Sequence, residues 1–271
     1  MTKEIQIGKI FEVAEKYRPL GKPIMTGDKS FDEAMAGGVR GGELITISGQ
    51  SGHGKTSWAL WLTKEIVDSG VPCLWFTYEM NPFYLMDKFQ ILGAKEEFNT
   101  FVPIQHSENT ADWIKAHIIK AKEEHHCKIV FIDHLHYLLP TDQEMNMSLL
   151  IGGVVRKLKQ LAIETDTIIY LIAHARKLQM GEKMDVNAVR DSALIINESD
   201  YVFLVERLKS EKGGKLEIQT EEMSNVSKVM LAKNRRTGKI FNKYFSVSNG
   251  KFSELELEEV KKILKNKNED S

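Results

Sequence analysis

Cysteine is scarce in this chain: Cys73 and Cys127 are the two in 271 residues. Both lie in apolar, strand-like stretches. That argues against a disulfide framework and makes a reducing compartment, the cytoplasm, the expected location. No run approaches 18 apolar residues, so no membrane span and no membrane partner is expected. The opening Met-Thr-Lys-Glu-Ile-Gln lacks the charged-then-apolar pattern of a signal peptide. Net charge is nearly absent too, at −1, which argues against a strongly basic coat and leaves room for a local basic patch. With 42% hydrophobic and 28% charged residues, the composition is that of an ordinary globular chain, long enough for one large or two small domains.

Against this plain background one stretch stands out. Leu44 to Ile47 is a β-branched apolar run that reads as a buried strand, and an apolar helix is predicted from about 56 to 69. Between them lies Gly49-Gln50-Ser51-Gly52-His53-Gly54-Lys55-Thr56-Ser57, which contains the spacing Gly-x-x-x-x-Gly-Lys-Thr. Glycines let the backbone wrap a triphosphate closely, with successive N–H groups aimed at its oxygens. The helix N-terminus adds the positive end of its dipole. In this pattern Lys55 reaches the β- and γ-phosphates and the Thr56 hydroxyl ligates Mg²⁺, so ATP and Mg²⁺ are the expected ligands.

Other segments supply candidate chemistry. Residues 72–79 read as a buried strand ending in Glu79, with Pro82 opening the next helix. A carboxylate there is placed either to deprotonate a water or to cap the helix. Lys128 to Asp133 is an apolar run ending in Asp, and paired with the phosphate loop it makes Asp133 a Mg²⁺-site residue. Residues 167–174 form a buried strand ending in His174, which either senses a γ-phosphate or is satisfied by a loop carbonyl. His134 and His136 alternate with Leu135, but no Cys-x-x-Cys or similar clip accompanies them, so they read as solvated or strand-end histidines and not as a zinc site.

The remaining order is coarse. An amphipathic helix is expected over residues 3–17, cut off by Pro19, Gly21 and Pro23. Ser30 is a candidate helix N-cap with Glu33 three residues on. Residues 101–105 read as a short strand, 110–124 and 149–164 as helices, and 140–148 as a polar loop. Residues 175–192 read as a polar loop whose Lys177, Lys183 and Arg190 suit a nucleic-acid backbone. Strands are expected near 201–206, 216–222, 229–233 and 243–247. The domain division is therefore an arm over 1–23, a core over 24–253 and a charged tail over 254–271.

Taken in order, these motifs resemble the RecA-like ATPase domain of DnaB-type replicative helicases and their phage and mitochondrial relatives. The resemblance runs from about Thr26 to Phe252. It rests on Thr26-Gly27 with Phe31-Asp32, the phosphate loop, Thr77-Tyr78-Glu79-Met80-Asn81-Pro82, Ile132-Asp133-His134-Leu135-His136, the 158–174 helix and strand, Arg190-Asp191-Ser192 with Asp200, and Lys233-Asn-Arg235. It implies an α/β fold: a RecA-like P-loop NTPase with a mostly parallel central sheet, flanking helices and added antiparallel strands at the C-terminal end. It further implies Glu79 as catalytic base, His174 as γ-phosphate sensor, and Arg235 with Lys233 as an arginine finger pair reaching a neighbouring subunit's site. His136 and His174 stand where bacterial members carry Gln, Ala193-Leu194 replaces Gly-Ala, and the 140–148 loop is acidic and Met-rich.

Two functions follow from the resemblance. One is a ring, hexameric by the family's habit, that translocates on single-stranded DNA in replication and takes a primase or a helicase loader as partner. The other is a RecA- or KaiC-like regulatory or assembly ATPase without unwinding. The acidic loop favours the second, and the 271 residues hold no counterpart of the bacterial N-terminal domain or of a primase module.

Overall fold

The computed structural model describes residues 7, 9–16, 18, 21–104, 110–139, 147–176, 182, 184–186, 189, 192–209 and 223–265. The Arg190–Asp191 motif, Lys177, Lys183, the 216–222 strand and most of the 140–148 loop lie outside them.

Among the described residues, one nine-stranded sheet organises the chain. Its strands are β1 (Leu44–Gly49), β2 (Cys73–Thr77), β3 (Thr100–Phe101), β4 (Ile129–Asp133), β5 (Ile168–His174), β6 (Tyr201–Lys209), β7 (Met223–Asn234), β8 (Phe241–Ser248) and β9 (Lys251–Leu255). They lie in the order β3-β2-β4-β5-β1-β6-β7-β8-β9. The six from β3 to β6 are parallel and the last three antiparallel. The expected α/β architecture is thus present. Parallel strands are buried on both faces, which explains why β1, β2 and β4 are buried throughout.

Eight α-helices accompany the sheet among the described residues: α1 (Ile10–Lys16), α2 (Lys29–Ala34), α3 (Lys55–Asp68), α4 (Pro82–Ile91), α5 (Ala111–His125), α6 (Met147–Thr165), α7 (Ser192–Glu198) and α8 (Leu257–Lys265). Alternate strand residues face different layers. Ile45, Ile47, Ile129 and Phe131 pack with α2, α3 and α4, whereas Leu44, Val130 and Ile132 pack with α5, α6 and α7. Trp58 of α3 stacks on Trp61 at 4.8 Å between ring centres and meets Phe245 and Phe252 of β8 and β9 at about 5 Å. That aromatic cluster clamps the helix behind the phosphate loop onto the antiparallel strands.

Several local expectations change. Asp28, not Ser30, caps α2, its carboxylate accepting from Phe31 N at 3.0 Å; Ser30 falls inside the helix. The 101–105 strand shrinks to Thr100–Phe101. The chain turns into a 3₁₀ helix over Leu135–Leu138, so His134 and His136 do not continue β4. β9 has no counterpart among the expected strands, and it carries the sheet two residues past the expected core boundary at 253. Near the N-terminal end, α1 leaves Ile10 and Phe11 73% and 86% exposed.

Candidate functional site

The phosphate loop joins β1 to α3 as its spacing requires. Gly54 sits at φ +90°, a left-handed conformation that a side chain would strain. Gly49 is held for a different reason: a Cβ there would lie 2.2 Å from the Val205 carbonyl oxygen of β6. Lys55 is buried and donates to the Gln50 carbonyl at 3.0 Å. Burial lowers its ammonium pKa, against the pull of Asp133 and Glu79. His53 is buried, accepts from Arg207 N at 3.2 Å and so links the loop to β6. Ser51, Gly52, Gly54, Lys55, Thr56, Ser57, Glu79 and His174 line a cavity of about 220 Å³.

Three neighbouring strands bring the other groups to this cavity. The parallel register sets Thr77 of β2 beside Asp133 of β4, and Gly49 of β1 beside His174 of β5. Such an arrangement puts ligands outside the carboxyl ends of the strands. Thr56 Oγ1 donates to Asp133 Oδ2 at 3.0 Å, while the buried Asp133 Oδ1 has no hydrogen-bond partner among the described residues. A hydroxyl touching a carboxylate with one unsatisfied oxygen is a donor set that fits Mg²⁺. Burial, helped by nearby Glu79, pushes the Asp133 carboxyl up to about 6, despite Thr56 and Lys55.

Glu79 and His174 meet across His134, which in sequence reads as a solvated or strand-end residue. His134 is buried, and its Nδ1 lies 3.1 Å from Glu79 Oε2. The His134 and His174 rings stand edge-on at 4.4 Å, with His136 5.8 Å from His174. Burial lowers the His134 pKa even though the Glu79 contact opposes it. Burial, then Lys55 and His134, brings His174 down to about 4. Both imidazoles are therefore neutral near pH 7 and able to donate or accept one hydrogen bond at each nitrogen. No sequence spacing marks the His134–Glu79 contact; only the β2–β4 register brings the two together.

Lys233 and Arg235 are not at this cavity. Arg235 N donates to Asp200 O at 2.8 Å, and Asp200 N to Leu44 O at 2.8 Å, which puts both at the beginning of β1. The phosphate loop leaves the far end of that strand, roughly 17 Å away at ordinary strand rise. Arg235 Nη1 pairs with Asp200 Oδ1 at 3.0 Å, and Lys233 Nζ donates to the Ser199 carbonyl at 2.8 Å. Asp200 also accepts from Lys159 Nζ at 2.6 Å and from Leu44 N at 2.8 Å.

Comparison with known proteins bears on the family and the fold. The family described as DnaB-like helicase C terminal domain matches residues 90–254, more than half of the chain. That stretch holds Asp133, His174, Lys233 and Arg235 and begins beyond the phosphate loop and Glu79. Among solved structures, a DnaB-like replicative helicase studied with its primase interactions is similar at 18% identity and a TM-score of 0.72, covering 91% of this chain and 67% of that one. A second solved structure, described as an ATPase domain, is similar at the same identity and TM-score, covering 91% of this chain and 96% of that one. No curated protein matches the sequence. The likeness in structure establishes the fold, and the match over 90–254 establishes the family: the chain belongs to the DnaB-like helicase C-terminal domain family.

Proposed function

We propose that this chain is an ATP-hydrolysing helicase or translocase that moves on single-stranded DNA as a ring of like subunits, hexameric by analogy, in DNA replication. The observation that carries the reading is the separation of two half-sites: a phosphate-binding cavity at one edge of the sheet and the Lys233–Arg235 pair at the other. A subunit packed head to tail on its neighbour joins the halves into one site. The exposed Ile10 and Phe11 of α1 supply an apolar stripe for that neighbour. A primase or a helicase loader is the expected partner class, and the cytoplasm the expected location.

In this reading the loop N–H groups of residues 50–56 cradle the triphosphate of ATP. Lys55 exchanges the Gln50 carbonyl for the β- and γ-phosphate oxygens. Thr56 and Asp133 hold Mg²⁺, which neutralises phosphate charge when bound. Glu79 accepts a proton from the attacking water, whose oxygen bonds to the γ-phosphorus as the bond to the ADP oxygen breaks. His134 fixes the Glu79 carboxylate, and neutral His174 donates a hydrogen bond to the γ-phosphate. Arg235 of a neighbour balances the charge that develops.

Steady-state ATP hydrolysis with and without single-stranded DNA tests the reading. Stimulation that fades between low and moderate salt is the expected result, because backbone phosphate contacts release counterions. Hydrolysis indifferent to DNA would move the assignment to a regulatory ATPase.

A further inference from the structure

Glu79, His134 and His174 also form a compact group of potential metal ligands. Each of the three offers one ligand atom, and these atoms all lie within 4.8 Å of one another. They come from the ends of β2, β4 and β5, three strands hydrogen-bonded side by side, so the scaffold beneath them is rigid. His134 is buried and His174 partly buried, while the Glu79 side chain is 48% exposed and contacts His134. Two imidazoles and one carboxylate with an open fourth position suit zinc. They suit Mg²⁺ poorly, since that ion prefers oxygen ligands in octahedral array.

We infer that Glu79, His134 and His174 form a second cation site, separate from the Thr56–Asp133 pair, that takes Zn²⁺ or a similar borderline transition metal. Tetrahedral zinc with bonds of about 2.1 Å needs its ligand atoms roughly 3.4 Å apart. The His134 Nδ1–Glu79 Oε2 separation of 3.1 Å is close to that spacing, and the remaining ligand atoms, all within 4.8 Å, reach it by side-chain rotation of Glu79 and His174. The cation replaces the hydrogen now shared between Nδ1 and the carboxylate, and the neutral His134 ring carries its proton on Nε2 instead. Filling the site ties up the Glu79 carboxylate and blocks hydrolysis while leaving the phosphate loop open to ATP. The blocking rests on the reading of Glu79 as base; the binding does not.

Titration of the nucleotide-free full chain with Co²⁺, followed by displacement with Zn²⁺, tests the site through the visible absorption of four- or five-coordinate cobalt. One equivalent per chain is expected. The variants Glu79→Gln, His134→Gln and His174→Gln should each weaken binding about tenfold or more, the range seen when surroundings of metal ligands are altered. His125→Gln, away from the cluster, should bind as the parent does, and circular dichroism checks that each variant is folded. Unchanged binding in all three cluster variants would overturn the inference, as would thiolate-to-cobalt charge transfer pointing to Cys73 or Cys127. Added Zn²⁺ should also slow hydrolysis while a fluorescent ATP analogue still binds. Binding without slowing would leave the metal site standing and remove Glu79 as the base.

Discussion

At the edge of the sheet where β1 ends, Lys55 rests on the Gln50 carbonyl beside an open cavity, and Asp133 keeps one carboxylate oxygen unsatisfied. At the edge where β1 begins, Asp200 is fully engaged by Lys159, Leu44 N and Arg235, and Lys233 is tied to backbone carbonyls around the end of α7. Both edges hold buried charge, but one is short of partners and the other supplied with them. An incompletely satisfied polar cluster in a cavity is the signature of a site waiting for a ligand. A satisfied one is the signature of a joint. Arg235 belongs to both descriptions, since its side chain remains about half exposed while one nitrogen holds Asp200.

Substitutions at the two edges should therefore separate activity from stability. The largest effect is expected for Glu79→Gln, which should bind ATP and hydrolyse it roughly a hundred- to ten-thousandfold more slowly, the span of general-base contributions. Normal turnover would remove Glu79 as the base. Lys55→Ala should lose about a hundredfold or more in nucleotide affinity through its lost charged hydrogen bonds, measured by fluorescence titration.

At the other edge the effect should be on folding. Asp200→Ala strands the largely buried Lys159 and the Leu44 amide and should cost on the order of 3 kcal/mol in denaturant unfolding. A change within a few tenths of a kcal/mol would mean that this edge is not a joint. The last effect has the opposite sign. Asp133 has its native carboxyl pKa raised from 3.8 to about 6, so the nucleotide-free protein binds an extra proton between those values. Its stability falls as pH rises through that window. Asp133→Asn should lack this fall and melt higher than the parent at pH 7, while losing Mg²⁺-dependent hydrolysis.

Much of the layout is legible in the sequence, for reasons that particular residues make clear. The phosphate loop is local, since glycines with positive φ, the lysine and the threonine fall within eight consecutive positions. The buried strands of the parallel half announce themselves because both faces are apolar, as in Ile129–Asp133. β9 is hidden for the converse reason: Lys251-Phe-Ser-Glu-Leu buries Phe252 alone of its five side chains. Ser30 is as good a cap as Asp28 by residue type, because the choice depends on where Gly27 turns the chain. The His134–Glu79 contact spans 55 residues and exists only through the register of two parallel strands. The distance of Arg235 from its own phosphate loop is equally a product of topology.

The most direct test is whether the two edges complete each other between subunits. Arg235→Ala alone should retain ATP binding and hydrolyse slowly, and Lys55→Ala alone should be inactive. Mixed under conditions where subunit exchange is verified by fluorescence transfer, the two should recover hydrolysis, because some interfaces then pair an intact Lys55 with an intact Arg235. Recovery well above the sum of the separate variants is the predicted result. A mixture that exchanges freely and shows no recovery would contradict a site shared across the interface.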